Sequence, residues 1–481
     1  MTYFKNLPSI IWLSFLLFFL LQIGNWGPLF DQDEAAYAGF AKQMLKTGDY
    51  FTQQFPFSEP HRKPPLHIWF TALSFHIFGI NEFVLRIFPT LWITLTCVFT
   101  YLITKQIFDE KTALRSFFIL ATTLYFPLNG KISLVDSLLT FTETLGFYAL
   151  VMLTAPDKKK SNLYIALFWF SISLGTLVKG PPILIYLGGI CFVFLLHKRT
   201  RNLIFDLKPW FFLPIALLPL FLWGYIAWQK TNGELIRWMI DWYVLRRATD
   251  PVFGQSGPPG VYLVLFFITL LPWSIYLPLV GKKIWTETKN IVLFYKGKVE
   301  SININYMLIV SGLIFGWVFY EFMSSKLPSY PLAAYPILSL LIANASLSIQ
   351  NQKLYHWLTK IAILQFVFVN IIFSIYFNTL KTDTKRIAGE WNQILSENDH
   401  IYAVKNFGLP SLPFYLNAQI IESKGIEFSH SYKKDSILLI DEENFQLLNA
   451  LGIKMDMIAT KQKIWEYDRN KNIFLMLVKI K

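Results

Sequence analysis

The sequence has little charge and almost no cysteine. Only 16% of its 481 residues are charged, whereas about a quarter is usual in soluble proteins, and 54% are hydrophobic. Both cysteines, Cys97 and Cys191, lie inside apolar runs, so neither a disulfide framework nor a cysteine metal site is available. The first apolar run is too long and too aromatic to be a removed signal peptide. Because apolar runs recur along the whole chain, the composition predicts a polytopic membrane protein.

Eleven apolar runs have the length and composition that a membrane-crossing helix requires. They cover residues 8–26, 84–104, 112–128, 134–153, 162–178, 181–197, 210–228, 261–280, 304–320, 331–347 and 357–377. A further apolar stretch, 66–80, is short and follows Pro64-Pro65. We expect this stretch to be re-entrant or interfacial.

The net charge of +13 is carried mainly by short loops between the predicted spans, which favours a topological signal over nucleic-acid binding. The lysine-rich loops, for example Lys158 to Lys160, alternate with loops that carry few lysines. Because cytoplasmic loops are enriched in Lys and Arg, the lysine-rich set is expected in the cytoplasm. Residues 27–83, residues 229–260 and the chain after residue 380 are then expected on the outer face.

The composition changes after residue 380. Strand-like runs begin at His400, Ser436 and Ile473, and residues 443–451 have a helical pattern that ends at Gly452. The fold class is therefore predicted to be an all-α polytopic membrane protein with a small extracytoplasmic α/β domain. The predicted domains are a transmembrane domain, 1–380, which includes the outer loop 27–83, and an α/β domain, 381–481.

The first outer loop concentrates carboxylates beside an apolar run. Asp31, Asp33 and Glu34 follow the first predicted span directly, and charge at membrane depth needs water, a cavity or a cationic partner. Asp33 is expected to cap a short amphipathic helix that lies on the membrane and ends at Gly48. The alternative is a solvated loop with a helix cap and topogenic charges.

Further polar residues mark the outer ends of later spans. Asp136 begins one span, Lys179 precedes a Gly-Pro turn, Lys326 lies in a short polar loop, and Arg246 lies in the loop 229–260. Several cations opposite a carboxylate suit a phosphate-bearing lipid, because Arg binds phosphate oxygens in pairs and Lys binds them as a point charge. The alternative is that these cations neutralise lipid headgroups.

An ordered set of motifs carries a resemblance to a known family. The set runs through Asp33-Glu34-Ala-Ala-Tyr37-Ala, Lys63-Pro-Pro-Leu-His-Ile-Trp, Asp136-Ser-Leu-Leu-Thr-Phe, Leu177-Val-Lys179-Gly-Pro, Leu271-Pro-Trp-Ser274 and Ser324-Ser-Lys-Leu-Pro-Ser-Tyr330. In this order the motifs resemble those of the aminoarabinose transferases, which belong with the protein O-mannosyltransferase-like enzymes in the membrane-embedded GT-C class of glycosyltransferases. The match covers roughly residues 8–345.

The resemblance implies a glycosyltransferase that uses a polyprenyl-phosphate sugar donor, with undecaprenyl phosphate expected in a bacterium. It implies a lipid, glycan or protein acceptor and transfer on the outer face of the cytoplasmic membrane. By position, Asp33 is the implied catalytic carboxylate. The implied residues of the donor-phosphate and acceptor cavity are Glu34, Tyr37, Arg62, Lys63, Asp136, Lys179, Arg246, Lys326 and Tyr330.

The chain departs from the family pattern at three positions. Ala36 stands where the relatives usually have Arg, and Arg62 and Tyr243 stand where they have the Glu and His that bind a metal. No cofactor is therefore assigned, although a divalent metal held by other ligands is compatible with the sequence. His61 and His67 lack metal-ligand spacing and are expected to be ordinary interfacial histidines.

Two other classes of function compete with the transferase. A transporter or flippase of lipid-linked sugars would be expected to show inverted repeats and charged residues near mid-span, and neither is apparent in the sequence. A scaffold without a site leaves the ordered motifs unexplained. The sequence therefore favours the transferase.

Overall fold

A computed structural model describes residues 7–30, 32–155, 161–246, 256–349, 352–379, 384–422, 433–466 and 471–481. It divides into two compact units. The helical unit comprises residues 1–25, 63–67 and 86–372, and the mixed unit comprises residues 26–62, 68–85 and 373–481. This division differs from the predicted boundary at residue 380, because most of the first outer loop clusters with the C-terminal residues.

The helices are numbered in chain order. They are α1 (Leu7–Gln22), α2 (Asp33–Thr47), α3 (Leu66–Phe78), α4 (Glu82–Leu85), α5 (Ile87–Ile107), α6 (Glu110–Thr122), α7 (Val135–Leu153), α8 (Ser161–Lys179), α9 (Pro181–Ile183), α10 (Gly189–Leu195), α11 (Arg201–Asp206), α12 (Pro209–Thr231), α13 (Glu234–Ile240), α14 (Val261–Thr269), α15 (Leu277–Tyr295), α16 (Ile304–Leu313), α17 (Phe319–Glu321), α18 (Ala334–Ser348), α19 (Gln352–Thr379), α20 (Thr384–Trp391), α21 (Ser411–Tyr415) and α22 (Glu442–Ala450).

Short segments of other helical types join some of these helices. The 3-10 turns are Glu59–His61, Phe126–Gly130, Trp273–Tyr276 and Tyr330–Ala333. The π-helical turns are Leu184–Gly188, Asp241–Leu245 and Ile314–Val318. The strands are β1 (His400–Ala403), β2 (Gln419–Glu422), β3 (Ile437–Asp441), β4 (Met455–Met457), β5 (Gln462–Glu466) and β6 (Lys471–Ile480).

Among the described residues, six helical stretches are long and apolar enough to cross a membrane. They are Glu82–Ile107, Ser161–Lys179, Pro209–Thr231, Ile304–Glu321, Tyr330–Ser348 and Gln352–Tyr376. The prediction of a largely helical chain with several apolar spans and a small C-terminal sheet is confirmed, whereas the count of eleven spans stays a prediction.

The predicted span 261–280 is not a continuous helix. Residues 261–280 contain α14, which ends at Thr269, a 3-10 turn and the beginning of α15. Pro272 explains the break, because proline has no N–H to donate and its ring collides with the carbonyl four residues earlier.

Helix α7 is the central element of the helical unit. It packs against α5 and α8, and 17 of its 19 residues are buried. A Cβ on Gly146 would lie 2.5 Å from the Ser171 hydroxyl oxygen of α8, so the two helices approach this closely only because residue 146 is glycine. By contrast, only 17% of the most apolar stretch of α12 or α19 is buried, as expected of helices that face lipid. Polar side chains on α7 therefore lie in the protein interior.

The mixed unit contains a six-stranded sheet with the strand order β2-β1-β3-β6-β4, and β5 also pairs with β6. β1 is parallel to β2 and β3, whereas β6 is antiparallel to β3, β4 and β5. Leu438, Leu439 and Ile440 of β3 are fully buried, because β3 lies in the middle of the sheet. The predicted strands at 400, 436 and 473 correspond to β1, β3 and β6, and the predicted helix corresponds to α22.

Helix α2 differs from its prediction in two respects. Gln32 rather than Asp33 occupies the N-cap, without a side-chain capping bond, and Asp33 is the first helical residue. The helix is also buried on most of its surface instead of presenting one apolar face to lipid. Within the mixed unit it packs against α21, where the Lys42 ammonium donates to the Phe414 carbonyl oxygen at 2.6 Å. The predicted end at Gly48 is confirmed by a left-handed φ of 73°.

The Asp441 carboxylate connects β3 to α22. Its Oδ1 accepts the Asn444 backbone N–H at the helix N-terminus, and its Oδ2 pairs with the Lys405 ammonium. Asp441→Ala is expected to lower the local stability by about 2 kcal/mol, because it removes an N-cap and leaves Lys405 without that partner. Hydrogen exchange of the full-length protein in nanodiscs should then be about 10- to 30-fold faster across residues 437–451. Glu443→Ala, at an exposed position on the same helix, should leave the exchange rate unchanged; equal protection in both variants would contradict the assignment.

Candidate functional site

The helical unit contains a cavity of about 870 Å³ that is walled mostly by apolar and aromatic side chains. Four of the residues predicted to form the site line it: Lys63, Asp136, Lys179 and Tyr330. A ligand pocket is typically an apolar concavity with a few convergent polar groups. The structure therefore brings these four residues together in a suitable place.

An ion pair joins two walls of this cavity. The Lys179 ammonium lies 2.6 Å from Asp136 Oδ1, and both side chains are more than four-fifths buried. Asp136 is in the first turn of α7 and Lys179 is the last residue of α8. A carboxylate near a helix N-terminus and an ammonium near a C-terminus are each favoured by the backbone dipoles, so the pair fits its place on both helices.

The turn after Lys179 is built by glycine and proline. Gly180 has a φ of 77°, a conformation that strains other residues, and Pro181 begins α9. The turn therefore ends α8 at Lys179 and returns the chain along the cavity wall, to which Gly180, Pro181 and Pro182 contribute.

Lys63 reaches the cavity beside an aromatic residue. Its ammonium donates to the Tyr243 hydroxyl at 3.2 Å and lies 4.5 Å from the centroid of the same ring. The Lys179 ammonium similarly lies 5.4 Å from the Tyr330 ring centroid. Aromatic faces stabilise a cation without neutralising its charge. Tyr243 was discussed in the sequence only as a replaced histidine, and the structure adds it to the cavity.

In the mixed unit, Asp33 is held by two other side chains. Its Oδ1 accepts a hydrogen bond from the Tyr37 hydroxyl at 3.2 Å and lies 2.9 Å from His61 Nδ1. The Asp33 side chain is 48% exposed, whereas that of His61 is 10% exposed. The prediction that His61 is an ordinary interfacial histidine missed this contact, because residues 28 apart gave no sequence signal of a pair.

Three other predicted site residues make contacts elsewhere. The Glu34 carboxylate accepts the Phe30 backbone N–H at 2.8 Å. Arg62 donates from Nε to the Gln53 carbonyl and contacts Glu59. Arg246 pairs at the surface with Asp241, and its Nε lies 2.8 Å from Oδ2. None of these contacts tests a role in binding.

Lys326 is surrounded by backbone carbonyl groups. Its ammonium donates to the carbonyl oxygens of Tyr320, Glu321 and Met323 at 2.7–3.0 Å. These are carbonyls at the end of α17 and just beyond it, where a helix leaves its last acceptors unpaired and a cation is favoured. Lys326 is therefore a C-terminal cap in this structure, although Ser325 and Ser329 beside it line the cavity.

One buried carboxyl was missed by the sequence analysis. Glu143 lies near the middle of α7, is only 4% exposed, and interacts electrostatically with Asp136 and Lys179. It corrects the statement that no charged residue lies near mid-span. A detectable signal existed, because Asp136, Thr140 and Glu143 follow one another at helical spacing in an otherwise apolar run.

The residues present do not form a recognisable metal site. Among the described residues, no three His, Cys, Asp or Glu side chains lie close enough together to hold an ion. Arg62 and Tyr243, at the positions of the relatives' implied ligands, make the contacts given above.

Comparison with known proteins shows which of them this chain resembles in sequence and in fold. Residues 62–228 match the family model described as "Dolichyl-phosphate-mannose-protein mannosyltransferase". The crystal structure of ArnT from Cupriavidus metallidurans bound to undecaprenyl phosphate has the same fold, with a TM-score of 0.79 over 99% of this chain and 98% of that one, at 16% identity. The Archaeoglobus fulgidus oligosaccharyltransferase is similar over 88% of this chain and 65% of that one, with a TM-score of 0.57 and 13% identity.

Two relatives found by sequence comparison support the same resemblance. An "Undecaprenyl phosphate-alpha-4-amino-4-deoxy-L-arabinose arabinosyl transferase" from Wigglesworthia glossinidia brevipalpis is 27% identical over 72% of this chain and 60% of its own length. An uncharacterised protein from Aquifex aeolicus is 27% identical over 70% of this chain and 63% of its own length. The chain thus spans about three fifths of the relatives that it matches. The predicted resemblance to the aminoarabinose transferases and mannosyltransferase-like enzymes is confirmed.

The stability of variants can test whether Asp136 and Lys179 form a buried charge pair. Asp136→Asn and Lys179→Met are each expected to destabilise the protein by about 3 kcal/mol, because each leaves one largely buried charge without its partner. The double variant Asp136→Leu/Lys179→Met should recover most of that loss. Unfolding by sodium dodecyl sulfate, followed by tryptophan fluorescence, measures the difference.

The Arg246–Asp241 pair of the same unit supplies the matched control, because its atoms lie 2.8 Å apart but its side chains are 54% and 49% exposed. Asp241→Asn is expected to cost less than about 0.5 kcal/mol. A loss of that small size in Asp136→Asn, or a double variant less stable than either single variant, would show that the pair is not a buried charge pair.

Proposed function

We propose that the chain is a glycosyltransferase that moves a sugar from a polyprenyl-phosphate donor to a lipid, glycan or protein acceptor. The observation that carries this proposal is the cavity of the helical unit, in which two lysines and one carboxylate interrupt an apolar and aromatic wall. A polyprenyl phosphate has the same combination, with a small anionic group on a long apolar chain. The names of the relatives and of the ArnT structure support the choice of undecaprenyl phosphate.

The cations suit the chemistry of the donor. When the bond between sugar and phosphate breaks, the bonding electrons leave with the phosphate oxygen and negative charge increases there. Lys63 and Lys179 can stabilise that charge, and ammonium groups in an apolar cavity do so more strongly than in water. The leaving phosphate then needs little help from a proton donor.

The Asp136–Lys179 pair holds an ammonium group in the cavity. In the absence of donor, Asp136 partners the Lys179 ammonium, so that this charge is stable in the cavity. When a phosphate binds, its oxygens can share the ammonium, because Lys has three N–H donors. The arrangement thus provides a cation that is already in place and needs little reorganisation.

Asp33 is the proposed catalytic carboxylate. It can accept the proton of an incoming hydroxyl, or orient that hydroxyl toward the sugar carbon. Its hydrogen bonds to Tyr37 and His61 limit the orientations of the carboxylate. Binding roles for Glu34, Tyr37, Arg62, Arg246, Lys326 and Tyr330 stay predictions.

The proposed location is the bacterial inner membrane, with the site on the outer face. The alternating lysine content of the loops supports this orientation, and we propose that the predicted spans beyond the six long apolar helices also cross. The description of the ArnT relatives as undecaprenyl-phosphate enzymes is consistent with a membrane location.

Asp33→Asn is expected to abolish transfer while the protein stays folded. Asparagine keeps an oxygen that accepts from Tyr37, but it cannot take a proton, and loss of a general base typically costs about 10²–10⁴ in rate. Purified protein in nanodiscs would be given undecaprenyl phosphate bearing aminoarabinose, glucose or mannose, together with an extract of membrane lipids, envelope glycans and proteins that supplies acceptor hydroxyls. Mass spectrometry would follow the release of undecaprenyl phosphate and the appearance of the sugar on an acceptor.

Glu34→Gln is the matched control, because the neighbouring carboxylate is buried and glutamine can still accept the Phe30 N–H. It should retain most of the activity. Near-normal turnover in Asp33→Asn would refute the role of Asp33. Failure of the wild-type protein with all three sugars would count against the transferase, and movement of an intact lipid-linked sugar across the bilayer would instead indicate a transporter.

The orientation can be tested by thiol labelling. Gln54→Cys and Asn417→Cys, both at exposed positions, should react with an impermeant maleimide added to intact spheroplasts in a background without Cys97 and Cys191. Lys298→Cys, in a lysine-rich loop, should react only after lysis. The reverse pattern would place the proposed site on the cytoplasmic face.

A further inference from the structure

His61 is the side chain in the mixed unit whose position the proposed mechanism does not yet explain. Its Nδ1 lies 2.9 Å from Asp33 Oδ1. An ionised carboxylate can only accept hydrogen bonds, so in this contact the imidazole hydrogen is on Nδ1 and the lone pair of a neutral ring is on Nε2. The contact thus fixes both the tautomer of His61 and the orientation of Asp33.

The difference in burial assigns the two groups different roles. The imidazole is 10% exposed and the Asp33 side chain is 48% exposed, so an acceptor from outside reaches the carboxylate more easily than the ring. His61 therefore acts through Asp33 rather than on the substrate.

The chain around His61 is held firmly enough to position another residue. His61 ends the 3-10 turn Glu59–His61, and its backbone N–H donates to the Ser58 carbonyl at 3.1 Å. Phe57 is 1% exposed, packs edge-on against Phe407 at 5.8 Å, and donates its N–H to Glu422 Oε1 at 2.7 Å. The turn is thereby anchored to the C-terminal part of the mixed unit through β2.

We infer that His61 is a positioning residue for Asp33, which holds the carboxylate in one orientation. This inference rests on the proposed function, because it takes Asp33 as the reacting carboxylate. By donating one hydrogen bond, the imidazole limits the directions in which the carboxylate can accept a proton.

Two substitutions of His61 separate positioning from simple space filling. His61→Asn places an amide N–H near the position of Nδ1 but cannot ionise, whereas His61→Leu fills space and donates nothing. His61→Leu is expected to lower kcat by about 10- to 100-fold with KM changed less than about twofold, since a misplaced reacting group impairs the chemical step more than binding. His61→Asn should keep kcat within about threefold, because its amide N–H can replace the Nδ1–H that orients Asp33.

His76→Asn, at an exposed position on α3 of the same unit, is the control and should change nothing. The assay is the nanodisc assay with the three lipid-linked sugars, in which wild-type turnover tests the proposed function separately. If the wild type turns over and His61→Leu matches it in kcat, the inference is wrong. A His61→Asn variant that is as impaired as His61→Leu contradicts the role of the hydrogen bond.

A spectroscopic measurement decides the contact without relying on turnover. In protein labelled with ¹⁵N-histidine, the signals that disappear in His61→Asn belong to His61. They should show the Nδ1–H tautomer, because an ionised carboxylate can only accept the Nδ1 hydrogen. An Nε2–H tautomer would overturn the inference even if no donor sugar were found to react.

Discussion

A charge inside an apolar protein interior is stable only when a partner compensates for the water that it has lost. Three largely buried lysines of the helical unit meet this requirement, one with a carboxylate and two with backbone carbonyl groups. Lys179 has a carboxylate, Asp136. Lys131, which is fully buried, donates to the carbonyl oxygens of Leu21 and Ile23 at the end of α1. Lys326 donates to three carbonyls at the end of α17 and beyond it. The same requirement thus produces one residue of a site and two helix caps.

This requirement explains how far the site could be predicted. The sequence shows that Lys131, Lys179 and Lys326 are cations in unexpected places, but it cannot show which partner each one finds. Of these three lysines, only Lys179 lines the cavity. Its neighbour across the helix interface is a carboxylate on α7. The others meet backbone oxygens, which every helix end offers and which leave no mark in the sequence. His61 is the opposite case: its sequence position is unremarkable, but the tertiary fold brings it to Asp33, 28 residues earlier in the chain.

The fold was more predictable where one periodicity holds along a whole element. The long apolar helices α5, α8, α12 and α19 and the strands β1, β3 and β6 follow from uninterrupted hydrophobic patterns. The strands β2, β4 and β5 were missed, because Gln, Glu, Asp or Lys interrupts or bounds each of these short apolar runs. The helix α2 was identified with its end at Gly48. Its burial was not foreseen, because the C-terminal residues that contact it lie more than 350 positions away.

The cavity itself depends on local departures from the α-helix. The π-helical turn Asp241–Leu245 carries Tyr243, Leu184–Gly188 carries Ile185, and Ile314–Val318 directly precedes Phe319 and Tyr320; all four of these residues line the cavity. A π-helical turn contains one more residue than an α-helical turn, so the side chains that follow it point about 100° away from the direction that a 3.6-residue period predicts. Helical periodicity therefore assigns the wrong face at these positions, and no reading of the hydrophobic pattern could have shown that these residues face one space. The chemistry of Asp136 and Lys179 was visible in the sequence because both lie at the ends of regular helices, whereas the wall that would receive the apolar chain of a lipid is built where that regularity fails.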